Sequence, residues 1–296
     1  MGAPVFYGVL VALIWGLQPV ISRYGFQLGL SAQDATLVRY LASGLLMLPY
    51  ACKCGLGDAC GIGWRRGFLL FLLSGPLFSL ILIGGVSFAP ASHGALIHPA
   101  LTPVFGALIS RFALKRPERF SPFGMLLLLL GLGLIGADSL LHVGAEMPAG
   151  AWRGDLLFVL SAFMWAWYLV LNKSWNTQPL NVVAFVQVLS LVYVLSYLAL
   201  CSTAPFNHPA GTLLLQAMYH GGLVSIVGVA LFNWVVAQLG VKALMLGALS
   251  PLFGVAASTL ALGEPLRSSV FIGAIAIVGG LALSLRGVPV PRRQEI

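Results

Sequence analysis

The sequence predicts an all-α integral membrane protein of ten transmembrane helices, built as two inverted five-helix repeats with both termini in the cytoplasm. Three observations predict it. Of 296 residues, 59% are hydrophobic and 8% charged, a balance that no water-soluble domain of this size sustains on its surface. The apolar residues fall into ten runs of roughly helix-spanning length. One stretch, "ALTPVFGALISRFALKRPERF" from Ala100, also returns as "ALSPLFGVAASTLALGEPLRS" from Ala248.

Crossing a bilayer takes about 20 apolar residues per helix, so Gly, Pro and charged residues divide the chain into segments. The first, Pro4–Ser22, lacks the positive start of a leader peptide, and Trp15, Gln18 and Pro19 make a poor leader core. It is read as the first spanning helix. Ala35–Ala51 and Gly67–Phe88 follow, separated by a polar connection that carries Cys52, Cys54 and Cys60. The run from Gly67 exceeds any bilayer thickness and is interrupted by Pro90, so Ala91–Phe112 is a separate fourth helix. Ser121–Ala137 completes the first repeat, residues 1–148. The second repeat, 149–296, holds Asp155–Asn172, Leu180–Leu200, Thr212–Val235, Ala243–Leu262 and Ser269–Leu285. No separate water-soluble domain is expected.

Lys and Arg set the orientation, because cations remain in cytoplasmic loops. Twelve of the sixteen lie after helices 2, 4, 6 and 8 or in the C-terminal tail. Arg23, Arg153 and Arg267 lie in the opposite loops, and Arg39 falls inside helix 2. The net charge of +8 is mostly this topology signal. A nucleic-acid partner needs a water-exposed basic surface, which a chain of this composition lacks.

A shift of 148 positions lays Ala100, Leu101, Pro103, Phe105 and Gly106 on Ala248, Leu249, Pro251, Phe253 and Gly254, then Pro117 on Pro265. A shift of 150 lays "ALIWGLQPVISR" on "AFMWAWYLVLNK". A shared Ala-Leu-Pro-Gly bias rarely aligns Pro, Phe and Gly in register at both places. Five crossings per copy is odd, so the second copy crosses in the opposite sense. Inversion explains the lost charge: Arg111, Lys115 and Arg116 are cytoplasmic, whereas Thr259, Gly263 and Glu264 face outside. Inverted repeats are the usual architecture of carriers, since exchanging the conformations of the halves opens one central site to each side in turn.

These residues resemble a known group. Trp15-Gly16 and Trp165-Ala166 early in each half, the repeated element around Pro103 and Pro251, and Arg39 opening "RYLASGLLML" are similar to the EamA family of the drug/metabolite transporter superfamily. The family's Pro-to-Gly-Glu element is matched by Pro251 through Gly263-Glu264; the first half departs from it with Lys115-Arg116. Within the family the chain most resembles the YddG-type exporters of aromatic and other amino acids. The resemblance implies a ten-helix, basket-shaped carrier in the bacterial inner membrane that exports small metabolites and uses no cofactor.

A carrier for a zwitterion needs polar groups near the bilayer midplane and aromatic walls. Trp15, Gln18 and Ser22 share one helix face, and so do their counterparts Trp165, Tyr168 and Asn172. Two such faces would wall a cavity from each half. The competing reading is anchoring at the membrane interface; it suits Asn172, beside Lys173, and Trp234 better than Trp15 and Trp165. His98 either touches a substrate carboxylate, carries a proton or ties two helices together. Pro99 and Pro103 free backbone carbonyls that accept from an ammonium or let the helix flex. Pro76 offers the same in helix 3, with Phe78 and Ser79 as a third wall, and Pro251 holds the place of Pro103 in the second half. Arg39 must be paired: it snorkels out to Asp34 or lines the outer mouth and attracts a carboxylate.

All eight carboxylates fall at helix ends or in loops, which argues against a mid-membrane acid as proton relay. The C-x-C-x5-C spacing with Asp58 lacks the second pair or the His partners of a metal site. No G-x-S-x-G, HExxH or phosphate-binding loop occurs. Three functions remain: an exporter of amino acids; a carrier of organic cations or another small metabolite on the same fold; and a membrane-embedded enzyme or structural component. Five helices per half bury enough surface for a monomer to work alone.

Overall fold

A computed structural model describes residues 2–115, 121–141, 150–200, 208–239, 246–247 and 249–285. Expectations resting on Arg116, Pro117, Arg119, Cys201, Lys242, Ala248 and the C-terminal arginines lie outside those residues. Among the described residues all regular structure is helical. The helices are α1 (Ala3–Gln27), α2 (Ala32–Cys54), α3 (Trp64–Phe88), α4 (Ala91–Phe112), α5 (Pro122–Leu141), α6 (Ala151–Trp175), α7 (Pro179–Leu200), α8 (Ala210–Val236), α9 (Ser250–Leu262) and α10 (Ser268–Leu285). Seven of them, α1 to α4 and α6 to α8, are long and apolar enough to cross a membrane. The apolar stretches of α5, α9 and α10 are shorter. The protein is a multi-pass membrane protein.

Local chemistry sets where these rods start and bend. α2 opens on a capping box: the Asp34 N–H donates to the Ser31 hydroxyl (3.1 Å), and the Ser31 N–H donates to the Asp34 carboxylate (2.9 Å). α1 bends at Leu17, because Pro19 has no N–H to offer the Trp15 carbonyl. α3 breaks at Gly75, whose backbone is extended, and restarts with Pro76 as its first residue. α4, by contrast, runs unbroken through Pro99 and Pro103. Between Ala217 and Gly228 the turns of α8 widen to π-helical spacing, a rare form frequent at functional sites.

Packing pairs the halves crosswise. α6 lies against α3 and α4, while α1 lies against α8 and α9; α2 meets α7 and α8, while α7 meets α2 and α3. α5 and α10 pack on each other antiparallel through glycines seven residues apart on each helix. A Cβ added at Gly280 would sit 2.6 Å from the Gly124 carbonyl oxygen, and one at Gly131 would sit 2.7 Å from that of Gly273. Only glycine permits backbones this close. Phe158, Leu96, Ile135 and Ile277 are fully buried in the main core, which joins α4, α5, α6 and α10. Leu198 and Leu260 are among many leucines left exposed, a surface that suits lipid rather than water.

In the connection after α2, Cys52 is exposed and Cys60 is buried. Burial pushes the Cys60 thiol up from its ordinary value, which keeps it protonated and unreactive.

Candidate functional site

Four of the seven residues predicted to touch substrate come together. The Phe78 ring of α3 stacks on Trp165 of α6, with centroids 5.4 Å apart, and Trp165 stacks on Tyr168 one turn along, at 4.7 Å. His98 of α4 lies 5.9 Å from Phe78. Three helices, two from the first half and one from the second, thus face one aromatic column. His98 Nδ1 is 2.9 Å from Ser161 Oγ, whose own proton goes to the Phe158 carbonyl (2.8 Å). Ser161 is then the acceptor, so Nδ1 carries the imidazole proton and Nε2 is left with a free lone pair.

Ser79, a fifth predicted residue, supports the column instead of lining it. It is fully buried and bonded at 2.7 Å to Tyr40 of α2. The Tyr40 hydroxyl donates to the Ser74 carbonyl (3.1 Å), which lies at the break in α3. The end of the first α3 segment at Gly75 thus leaves a carbonyl unfilled, and α2 fills it.

Trp15 and Gln18 sit elsewhere. Trp15 packs on Phe232 of α8, with centroids 5.0 Å apart, in a small cluster with Ile14 and Tyr219. Among the described residues no ring contact joins it to the Phe78 column. Each tryptophan thus leans on the third helix of the opposite half, which gives two aromatic groups rather than one. Gln18 is half-buried at the α1 bend, where its carbonyl accepts from Ser22 (3.0 Å). Trp234, read as interfacial, is partly exposed and meets Tyr7 edge-on at 5.4 Å.

Of the hinge residues, Pro76 marks a true break, Pro99 and Pro103 lie within a continuous helix, and Pro251 starts α9. Arg39 does not snorkel: it is 6% exposed. Asp34 instead accepts from Ser31 and from the Tyr197 hydroxyl of α7.

The two halves are also tied by polar contacts at helix ends. Asp155 of α6 meets His93 of α4 at 3.0 Å, and Asp138 of α5 meets Arg267 (3.3 Å) and Ser269 (2.7 Å) at the start of α10. Asp34, Asp138 and Asp155 stand at helix ends, yet all three are buried. Glu264 accepts from the backbone N–H groups of Ala91 (2.7 Å) and Ser92 (3.1 Å) at the N-terminus of α4, where helix dipole and orphan donors favour an anion. Gly263 makes this possible by ending α9 at φ +69. Its counterpart 148 positions earlier, Lys115, turns the chain at φ +52.

The sequence pattern of the EamA-like transporter family matches residues 2–137 and again 152–286. The chain belongs to the EamA-like transporter family. Members of that family, within the drug/metabolite transporter superfamily, are membrane transporters rather than enzymes. Inner membrane protein YtfF of Escherichia coli (strain K12) is 25% identical over 187 residues, which span 58% of this chain and 55% of YtfF. The chain thus matches about half the length of that relative. A solved crystal structure of a protein superposes on 95% of both chains with a TM-score of 0.62 at 17% identity, a likeness of fold alone.

Within this EamA-like transporter, sequence reasoning passed over His220, His93 and Tyr40. His220 is fully buried on α8 with Nε2 3.3 Å from Ser22 Oγ, and its only signal was a lone histidine inside an apolar run.

Proposed function

We propose that this protein is a secondary carrier of the bacterial inner membrane that exports amino acids, aromatic and other neutral ones, by alternating access to a site between its halves. In this reading all ten helices cross the membrane as two inverted repeats, residues 1–148 and 149–296, with both termini cytoplasmic, and one chain suffices. The observation that carries it is the Phe78–Trp165–Tyr168 column with His98 at its side. Stacked rings accept an aromatic or apolar side chain, and a neutral imidazole accepts a hydrogen bond from an indole N–H or hydroxyl on that side chain. The crosswise packing of α1 on α8 and α9 and of α6 on α3 and α4 supports the inverted repeat, as does the equivalent turn at Lys115 and Gly263. Trp15 and Gln18 are proposed to act from the second aromatic group, where the halves rock, and Pro76, Pro99, Pro103 and Pro251 to absorb the bending.

The test is uptake of radiolabelled Trp, Phe, Met and Thr into proteoliposomes holding the purified chain, with and without a pH gradient. Saturable uptake of at least one amino acid is expected. Uptake at the empty-vesicle level under both conditions, from protein shown to be folded, would sink the amino-acid reading and make organic cations the next panel.

A further inference from the structure

Buried polar groups without partners concentrate at one place, the crossing of α1, α2 and α8. Arg39 Nε and Nη1, Thr36 Oγ1, Gln216 Oε1 and His220 Nδ1 are all buried, and none has a hydrogen-bond partner among the described residues. Thr36 and Arg39 are three residues apart on α2, and Gln216 and His220 are four apart on α8, so each pair shares a helix face. The two helices touch here: a Cβ at Gly221 would lie 2.9 Å from the Arg39 carbonyl oxygen and 2.8 Å from the Ala42 side chain. α1 joins through Ser22, beside His220 (3.3 Å), and through the Ile21 carbonyl, which accepts from Gln216 Nε2 (2.8 Å).

Among the described residues this arrangement holds no anion. A guanidinium stays charged in any protein environment, and burying it uncompensated costs several kcal/mol. Asp34, the nearest acid in sequence, is held by Ser31 and Tyr197. A guanidinium offers five N–H donors in a planar fork that fits a carboxylate. The orphan oxygens of Gln216 and Thr36 on the same faces can accept from an ammonium. The crossing connects to the aromatic column through the residue next in chain: Arg39 Cζ is 5.5 Å from the Tyr40 ring centroid, and Tyr40 bonds Ser79, which neighbours Phe78.

We propose that Arg39 is a subsite for the substrate's carboxylate, so that this carrier takes solutes bearing an aromatic or apolar group at one pole and a carboxylate at the other. The proposal rests on the amino-acid reading above and sharpens it. Organic cations would be excluded by the same guanidinium that holds an acid.

The experiment compares L-tryptophan, L-tryptophanamide and tryptamine as competitors of labelled L-tryptophan uptake in proteoliposomes, for the wild type, Arg39→Lys and Arg39→Gln. A charge-assisted carboxylate contact is worth about 1.5–3 kcal/mol, or roughly 10- to 100-fold. The wild type should therefore prefer the acid over both analogues by that factor. Arg39→Lys should keep part of the preference and Arg39→Gln should lose it. Equal competition by all three in the wild type, or undiminished preference in Arg39→Gln, overturns the subsite while leaving amino-acid transport intact. A parallel arm reads the subsite without transport: the melting temperature of the detergent-solubilised full chain with indole-3-acetate, tryptamine or chloride. Stabilisation of the wild type by indole-3-acetate alone, absent in Arg39→Gln, supports the proposal even if no amino acid is carried. Equal stabilisation by chloride, or none by any anion, overturns it. Should Arg39→Gln fail to fold, the wild-type comparison decides, with Arg39→Lys as the second variant, expected to weaken acid preference severalfold.

Discussion

At the scale of single residues, the aromatic column makes the sharpest claim about recognition. Trp165 is the middle ring of three, so its removal breaks two stacked contacts at once, each worth about 0.5–1.5 kcal/mol. Trp165→Ala is expected to weaken apparent substrate affinity roughly tenfold while the protein still inserts and folds. Trp15→Ala, which touches Phe232 and not the column, should change maximal rate more than affinity. Concentration-dependent uptake by both variants checks this, and equal affinity losses would put both rings in one site. Trp165 and Tyr168 were legible in the sequence, because helical spacing and a shift of 150 positions aligned them with Trp15 and Gln18, whereas Phe78 was read from its place beside Pro76 and His98 as a histidine inside an apolar helix. His220 was not, since nothing in the apolar run "MYHGGLVSIVG" says that an arginine 181 positions earlier will lie across from it.

At the scale of helices, contact between α1 and α9 depends on glycine. A Cβ at Gly254 would overlap the Ala95 side chain and lie 2.8 Å from the Gly16 carbonyl oxygen, whereas one at Gly106, its repeat counterpart, would meet nothing within 4 Å. Gly254→Val is therefore expected to cost about 1–3 kcal/mol by overpacking. Gly106→Val, which meets no clash, should be neutral or gain a few tenths of a kcal/mol, because valine, though β-branched, is a better helix former than glycine. Thermal unfolding of both variants in the same detergent tests the asymmetry, and equal melting temperatures would refute it. The sequence aligned these two glycines as equivalents; folding made them different, because a single conformation cannot pack both halves alike. Helix positions were legible, since hydropathy and punctuation mark them, and the α4 boundaries coincide with those expected from Pro90 and the basic end at Arg111. The break at Gly75 and the π-helical stretch of α8 were not, because both depend on which neighbour takes up the freed backbone groups.

At the scale of the whole molecule, orientation is the open quantity with a direct readout. A variant retaining Cys52 as its sole cysteine should react with a membrane-impermeant maleimide in inverted inner-membrane vesicles and remain unlabelled in intact spheroplasts. The opposite pattern would reverse the assigned topology. Cys52 is suited to this because it is exposed beside Lys53, in a connection whose cations set the orientation. Restored alone in the same background, buried Cys60 should react far more slowly, since burial disfavours its thiolate. By itself the sequence determined the membrane class and the position of nearly every helix, which follow from composition and local punctuation, and its Trp-Gly and Pro-to-Gly-Glu elements carried the resemblance to the family. Only the tertiary structure decided that Trp15 and Trp165 lie in separate aromatic groups, that three acids at helix ends are buried, and that Arg39 faces α8 with donors unfilled. Those outcomes depend on which helix faces meet, and a face finds its partner through packing over the whole bundle.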